Sequence, residues 1–437
     1  MLQLQRRILQ LAWPIMLSNI TVPLLGLVDT AVLGHLEDVS YLGAVALGSQ
    51  VVTLLLWSFG FLRMGTTSLS AHAMGASKAG GQGTETILHN ALLMALLISF
   101  PLMVFAFFSI EKIITLIGGS PAIQALAVEY ASIRFIATPA VLIQYVLIGW
   151  FIGRGETKVP LLLLVISNSI NALLDVILVY GYGLNSDGVA WATVCADYSA
   201  AGLGLYFSAI TIRKIKKEQR KSFSWPKWQA LKPLININHQ LFVRTLCLLS
   251  VFIFFTSQGA NQGDSILAVN AIMLTLLLLI SNALDGFAHA AETIVGQSLG
   301  ARNYKQLIQG IWLTGGNILL IALLMVAGFY WQSHTILGLL TDQKDVLELA
   351  IKYSPWLIWL PLIGFSSYWL DGVFIGLQAS AKMRNSMLLS ALIVFIPVWY
   401  MTQSMGNHGL WLAFYAFLLA RTVFMLPGFF RMLKTNQ

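Results

Sequence analysis

The sequence predicts an all-α, polytopic membrane protein of twelve transmembrane helices, arranged as two pseudo-symmetric six-helix bundles. Three observations lead there. Of its 437 residues, 57% are hydrophobic and only 10% charged, whereas soluble domains carry about 25% charged residues. The apolar residues form continuous runs and do not alternate with polar ones, which excludes a β-barrel. Finally, landmarks of the first half recur in the second at a nearly constant offset.

A run of about 20 apolar residues spans the hydrocarbon core as a helix. Such runs occupy residues 8–33, 40–70, 84–108, 122–150, 158–183 and 187–212, then 232–258, 264–298, 306–331, 346–376, 384–404 and 408–432. Several exceed the minimum, as tilted or bent helices do. The first run is too long for a signal peptide and lacks a following small-residue cleavage site, so it is expected to stay. Cys195 and Cys247 both fall within apolar runs, and no disulfide framework is implied.

The net charge of +8 reports topology. Lys and Arg collect in cytoplasmic loops. With the N-terminus inside, nineteen of the 26 basic residues fall on that side, from Arg6 and Arg7 through the 213–232 cluster to Arg431 and Lys434. Only Lys112 and Lys344 fall in loops on the other side, and Arg63, Arg134, Arg244, Lys352 and Arg421 sit within or at the ends of helices. Both termini are therefore placed in the cytoplasm, and no nucleic-acid partner is needed to explain the basic excess.

The repeat is carried by several pairs. Gly149-Trp-Phe-Ile-Gly153 closes the fourth predicted helix, and Gly372-Val-Phe-Ile-Gly376 closes the tenth. Tyr130 and Tyr353 share their offset of 223, Gly75-Ala76 and Gly300-Ala301 lie 225 apart, and Gly188 and Gly409 lie 221 apart. This divides the chain into an N-lobe at 1–212, a cytoplasmic loop at 213–231 and a C-lobe at 232–437. Each half has an even number of helices, so the symmetry axis runs along the membrane normal. Two halves of this kind suit alternating access.

Charges at membrane depth are functional candidates. Counting from the outer helix ends places Asp29, Tyr130, Asn171, Asp175, Thr193 and Asp197 at one depth in the outer half of the N-lobe. Asn171 and Asp175, four residues apart, share a helix face. Carboxylates crowded in a low-dielectric pocket favour a bound proton or a bridging cation. Neutral oxygens of Asn171, Thr193 and Tyr130 are suited to orient that proton or to ligate sodium. The proton is favoured because carboxylates outnumber the clear neutral ligands. Pro14 removes a backbone hydrogen bond inside the first helix and makes a bend there. The C-lobe holds Arg244, Asp285, His289, Glu292 and Asp371. Of these Asp285, His289 and Glu292 share a face, and Asp371 stands where the first half has Ile148. Arg244 is expected to pair with Asp285 or Asp371 in the bundle core, as a structural contact or a substrate-facing one. His289 lacks a second ligand at zinc-binding spacing and is expected to be solvated or to pack.

The chain has no GxxxxGK[ST] loop, so ATP is not its visible energy source, and neither a Ser-His-Asp nor an HExxH arrangement is present. No enzyme activity and no cofactor are expected, beyond an H⁺ or Na⁺ gradient.

Phe61-Leu-Arg-Met-Gly-Thr-Thr67, Asp285-Gly-Phe-Ala288 with Ala291-Glu292 and Val295-Gly-Gln297, and Leu370-Asp-Gly372 together resemble the multidrug and toxic compound extrusion (MATE) family, in its bacterial DinF-like branch. The resemblance covers essentially the whole chain. It implies a V-shaped pair of six-helix bundles in the bacterial cytoplasmic membrane that exchanges protons or sodium for cationic, amphipathic drug-like molecules. It further implies that Asp29 carries the coupling step with Asn171, Asp175, Thr193 and Tyr130, and that Pro14 marks the family's bend. Asp371 matches the family's tenth-helix aspartate. The seventh-helix glutamate used with it in other branches is missing, with Arg244 nearby instead, which favours an N-lobe site. Asp197 matches no family position. The expected function is a secondary antiporter working as a monomer, with a lipid or lipid-linked oligosaccharide flippase of the same superfamily as the alternative.

Overall fold

The computed structural model is described for residues 1–33, 39–77, 83–118, 120–214, 228–341 and 343–435, without the side chains of 20–31, 39, 228, 230 and 435. Every regular element among these residues is helical: α1 (Leu2–Leu33), α2 (Val39–Trp57), α3 (Phe61–Ser77), α4 (Thr84–Ile117), α5 (Pro121–Phe135), α6 (Thr138–Arg154), α7 (Lys158–Val176) and α8 (Ser186–Lys214) come first. They are followed by α9 (Trp228–Ala260), α10 (Asp264–Gly300), α11 (Tyr304–Gly338), α12 (Lys344–Gly376), α13 (Ser380–Leu389), α14 (Ile396–Met401) and α15 (Asn407–Thr435). Nine stretches among the described residues are long and apolar enough to cross a membrane. The pair α5 and α6, bent by 51°, makes a tenth. The remaining two predicted spans coincide with α1 and α8. At 29 residues α8 is long enough, but Asp197 and a run of small residues dilute its apolarity.

The described residues form two compact units. One is Leu17–Ile235; the other joins Met1–Met16 to Asn236–Gln437. The sequence division assigned all of 1–212 to one lobe, whereas the first half of α1 packs with the second half of the chain. The reason is legible on α1 itself. Leu4, Ile8, Leu11 and Ala12 form a stripe at helical spacing, and all four are buried in one cluster with Phe255, Met273, Ile280 and Trp411. Gly286 of α10 lets α1 come close: a Cβ there would lie 2.1 Å from the Met16 side chain and 3.2 Å from the Ala12 carbonyl oxygen. Pro14 is buried in this stretch, two residues before the chain passes into the other unit.

The sequence repeat is a repeat of packing. A Cβ on Gly149 of α6 would meet the Arg63 carbonyl oxygen of α3 at 2.4 Å, and one on Gly372 of α12 would meet the Ala288 carbonyl oxygen of α10 at 2.3 Å. One turn on, Gly153 faces the Thr67 carbonyl oxygen and Gly376 faces that of Glu292. Each G-x-x-x-G pair thus seats one helix directly on its neighbour's backbone, the contact that small residues permit in lipid. The turns that follow are also duplicated. Glu156 N–H bonds Phe151 C=O and Ala379 N–H bonds Phe374 C=O, both at 2.9 Å, closing the helices with left-handed Gly155 (φ 84) and Gln378 (φ 57).

Candidate functional site

The N-terminal unit gathers polar groups around α7. Asn171 and Asp175 sit one turn apart, both with 0% exposure. The Thr193 hydroxyl of α8 donates to the Val189 carbonyl at 2.9 Å, so it can only accept from Asn171. Asn171 Nδ2 donates to it at 3.1 Å. That contact turns the amide so that Oδ1 points away from Thr193. Oδ1 is buried and accepts no hydrogen bond among the described residues. An acceptor left bare in the interior is costly, of order 1–3 kcal/mol. Two residues after Asp175 the helix changes winding, and Ile177–Gly181 forms a π-helical turn, with Tyr182 N–H reaching back to Ile177 C=O. π-turns are rare and recur at functional sites.

The end of α1 docks on these same elements. Val32 and Leu33 are buried with Tyr130 of α5, Val179 of the π-turn, and Val189 and Ala190 of α8. The Tyr180 hydroxyl donates to the Val32 carbonyl at 2.9 Å. Asp29 lies three residues before Val32 on α1, and its side chain is outside the described residues. The structure therefore brings Asn171, Asp175 and Thr193 together, and packs Tyr130 and the last turn of α1 against the same helices.

Asp197 is engaged differently. Its carboxylate pairs with Arg134 of α5 at 3.0 Å, and Gln144 of α6 donates to its backbone carbonyl at 2.9 Å. Arg134 as its partner is not evident from spacing, because the two residues are 63 positions apart.

In the C-terminal unit, Arg244 of α9 donates to Asp371 of α12. Arg421 of α15 donates to the same carboxylate oxygen, Asp371 Oδ2, at 2.5 Å. All three are buried. Arg421 also lies 6.0 Å from the Tyr368 ring centroid, and Tyr368 shares a hydrogen bond with Ser281 of α10. Asp285, four residues after Ser281 on α10, is half-buried. Sequence reasoning paired Arg244 with Asp371 or Asp285 but missed Arg421. Its signal was its placement inside an apolar run, the same signal that singled out Arg244. His289 is buried rather than solvated, with Nδ1 3.0 Å from the Glu292 carboxylate, on the stretch of α10 where Gly372 and Gly376 of α12 seat on the Ala288 and Glu292 carbonyls.

The profile of the MatE family matches residues 14–177 and 241–401. The DNA damage-inducible protein F of Escherichia coli (strain K12) is 39% identical over 419 residues, covering 94% of this chain and 89% of its own length. The multidrug export protein MepA of Staphylococcus aureus (strain MSSA476) is 21% identical, covering 95% of this chain and 90% of its own. Among solved structures, a MATE transporter crystallised in a bent conformation superimposes with a TM-score of 0.86 at 21% identity, covering 99% of this chain and 98% of that one.

Proposed function

The chain belongs to the MATE family of non-enzymatic secondary transporters, and from that premise we propose that it is a multidrug efflux antiporter coupled through the N-terminal unit. It exchanges external H⁺ for cationic or amphipathic organic compounds, with both termini in the cytoplasm of a bacterial cell. The observation that carries the reading is the buried Oδ1 of Asn171, which has no hydrogen-bond partner among the described residues and lies one turn from the buried carboxyl of Asp175. A protonated carboxyl gains a donor and can satisfy that oxygen; an ionised one cannot. Protonation therefore changes the hydrogen bonding of α7 in the interior, where such a change is felt most. Na⁺ is the competing ligand for the same oxygens.

Coupling needs a part that moves. Helix α1 runs from one unit into the other just after Pro14, where proline removes the backbone bond that would stiffen it. Its far end carries Asp29 toward Tyr130 and the π-turn. Neutralising Asp29 or Asp175 resets how this end docks, and α1 bends at Pro14 as the substrate is released. By contrast, Asp371 is held by the guanidinium groups of Arg244 and Arg421 in a buried ion-pair cluster, which suits a structural role in the C-terminal unit.

The test is transport of ethidium by purified protein in liposomes, under separate pH and Na⁺ gradients. A pH gradient alone is expected to drive efflux. Asp29→Asn and Asp175→Asn are each expected to abolish it while the protein elutes as a folded species. Normal pH-driven transport by both variants would overturn the proposal, and transport driven by Na⁺ alone would reassign the ion.

A further inference from the structure

At the start of α11, on the side that the basic loops assign to the cytoplasm, the C-terminal unit has a cavity of about 410 Å³ between α1 and α11. Its polar lining is Gln3 and Arg7 of α1, with Asn303, Lys305, Gln306 and Gln309 at the head of α11. Two cations and four amides face it, with no carboxylate among the lining residues. Such a set recognises an anion that accepts several hydrogen bonds.

The walls are fixed in advance. Arg7 is half-buried, and its guanidinium donates to the Gln297 amide of α10, so part of its hydrogen-bonding capacity remains for the cavity. Gln5 and Asn317 exchange reciprocal amide hydrogen bonds at 2.8 and 3.2 Å, tying α1 to α11 just behind Arg7. The Asn303 side chain accepts from Gln306 N–H at 3.0 Å and holds the turn. Exposed Leu2 and Tyr304 flank the cavity along the same two helices, which is the mixture of apolar and aromatic side chains found at headgroup level. Aligning the helix starts Thr84 and Tyr304 sets Gly83 of the first half against Asn303 and Glu85 against Lys305, so these two cavity residues are not repeated there.

We propose that this cavity binds the phosphate headgroup of an anionic phospholipid of the cytoplasmic leaflet, with Arg7 and Lys305 as the charge partners. Basic pockets between transmembrane helices on that face are suited to such headgroups. Occupancy clasps the first half of α1 to α11, and so anchors the segment that precedes Pro14. The assignment does not depend on which ion drives transport.

Binding of phosphatidylglycerol to the full chain, followed by native mass spectrometry and thermal unfolding, tests it. Arg7→Gln/Lys305→Gln is expected to weaken phosphatidylglycerol binding about tenfold and Lys305→Gln alone about threefold, a difference of the size that one or two charge contacts make. Lys344→Gln, an exposed first-turn lysine of α12 outside the cavity, should leave binding unchanged. Phosphatidylcholine should bind all four proteins equally weakly. Wild-type affinity in the double variant overturns the proposal. Should that variant not fold, Lys305→Gln carries the test alone, since Lys305 is exposed, and unchanged affinity there has the same meaning. Equal protection by inorganic phosphate would assign the cavity to a soluble phosphate and overturn the lipid assignment.

Discussion

The two units share one scaffold, and the polar clusters built around Asn171 in one and Asp371 in the other differ in kind. In both, a G-x-x-x-G pair lays a helix on its neighbour's carbonyl oxygens, 223 residues apart in sequence. Asn171 donates to the neutral Thr193 hydroxyl, and its own Oδ1 has no hydrogen-bond partner among the described residues. Around Asp371 two arginines share one carboxylate oxygen. Close backbone packing tolerates almost no change, so duplication preserved it. The polar side chains differ between the halves: Asn171 meets the Thr193 hydroxyl in one, and Asp371 meets two arginines in the other.

The largest expected effect falls on the shared scaffold. Gly149→Val and Gly372→Val each drive a side chain into a carbonyl oxygen under 2.5 Å from the Cβ position. Overpacking of this kind costs about 1–3 kcal/mol or more. Both should abolish monodisperse protein on size exclusion, and near-equal losses would confirm that the halves depend on the contact alike.

Next comes the contrast between the carboxylates. Asp371→Asn leaves two buried guanidiniums without their counter-ion and should destabilise by about 3–5 kcal/mol, read as a large fall in melting temperature. Asp175→Asn keeps the shape and removes a buried acid, so its melting temperature should stay within a few degrees of wild type while pH-driven efflux is lost. A reversed order would assign the switchable role to the wrong unit.

A smaller effect is expected at Thr193→Val, which strands the Asn171 N–H that now bonds the hydroxyl. The expected loss is about 1–3 kcal/mol. The smallest change runs the other way. Gln378 holds the left-handed turn that Gly155 holds in the first half, and Gln378→Gly should stabilise by up to about 1 kcal/mol by relieving the Cβ strain. A drop in melting temperature would show that the Gln378 side chain supports the turn.

Much of the fold was legible because hydrophobicity is additive along the chain. Twelve runs, their order and the Gly149–Gly153 and Gly372–Gly376 repeat need no knowledge of neighbours. Asn171 and Asp175 were legible as a pair because four residues make one helix turn, and Thr193 followed from depth. Arg421 and Arg134 were not, since each meets its aspartate across a helix–helix contact whose register depends on packing along the full length of both helices. The π-turn after Asp175 was invisible for a related reason: nothing in Ile177–Gly181 differs in composition from an ordinary apolar helix.

By itself the sequence determined how many times the chain turns, which loops are basic, that the halves are related, and which charges fall within apolar runs. These are properties of a residue and its near neighbours in the chain. Tertiary structure alone decided that Met1–Met16 joins the second unit, that Asp371 is shared by Arg244 and Arg421, and that Asn171 turns its nitrogen to Thr193 and leaves its oxygen without a partner among the described residues. Those outcomes depend on which helix faces come together, and a side chain's partner is fixed only once both faces are chosen.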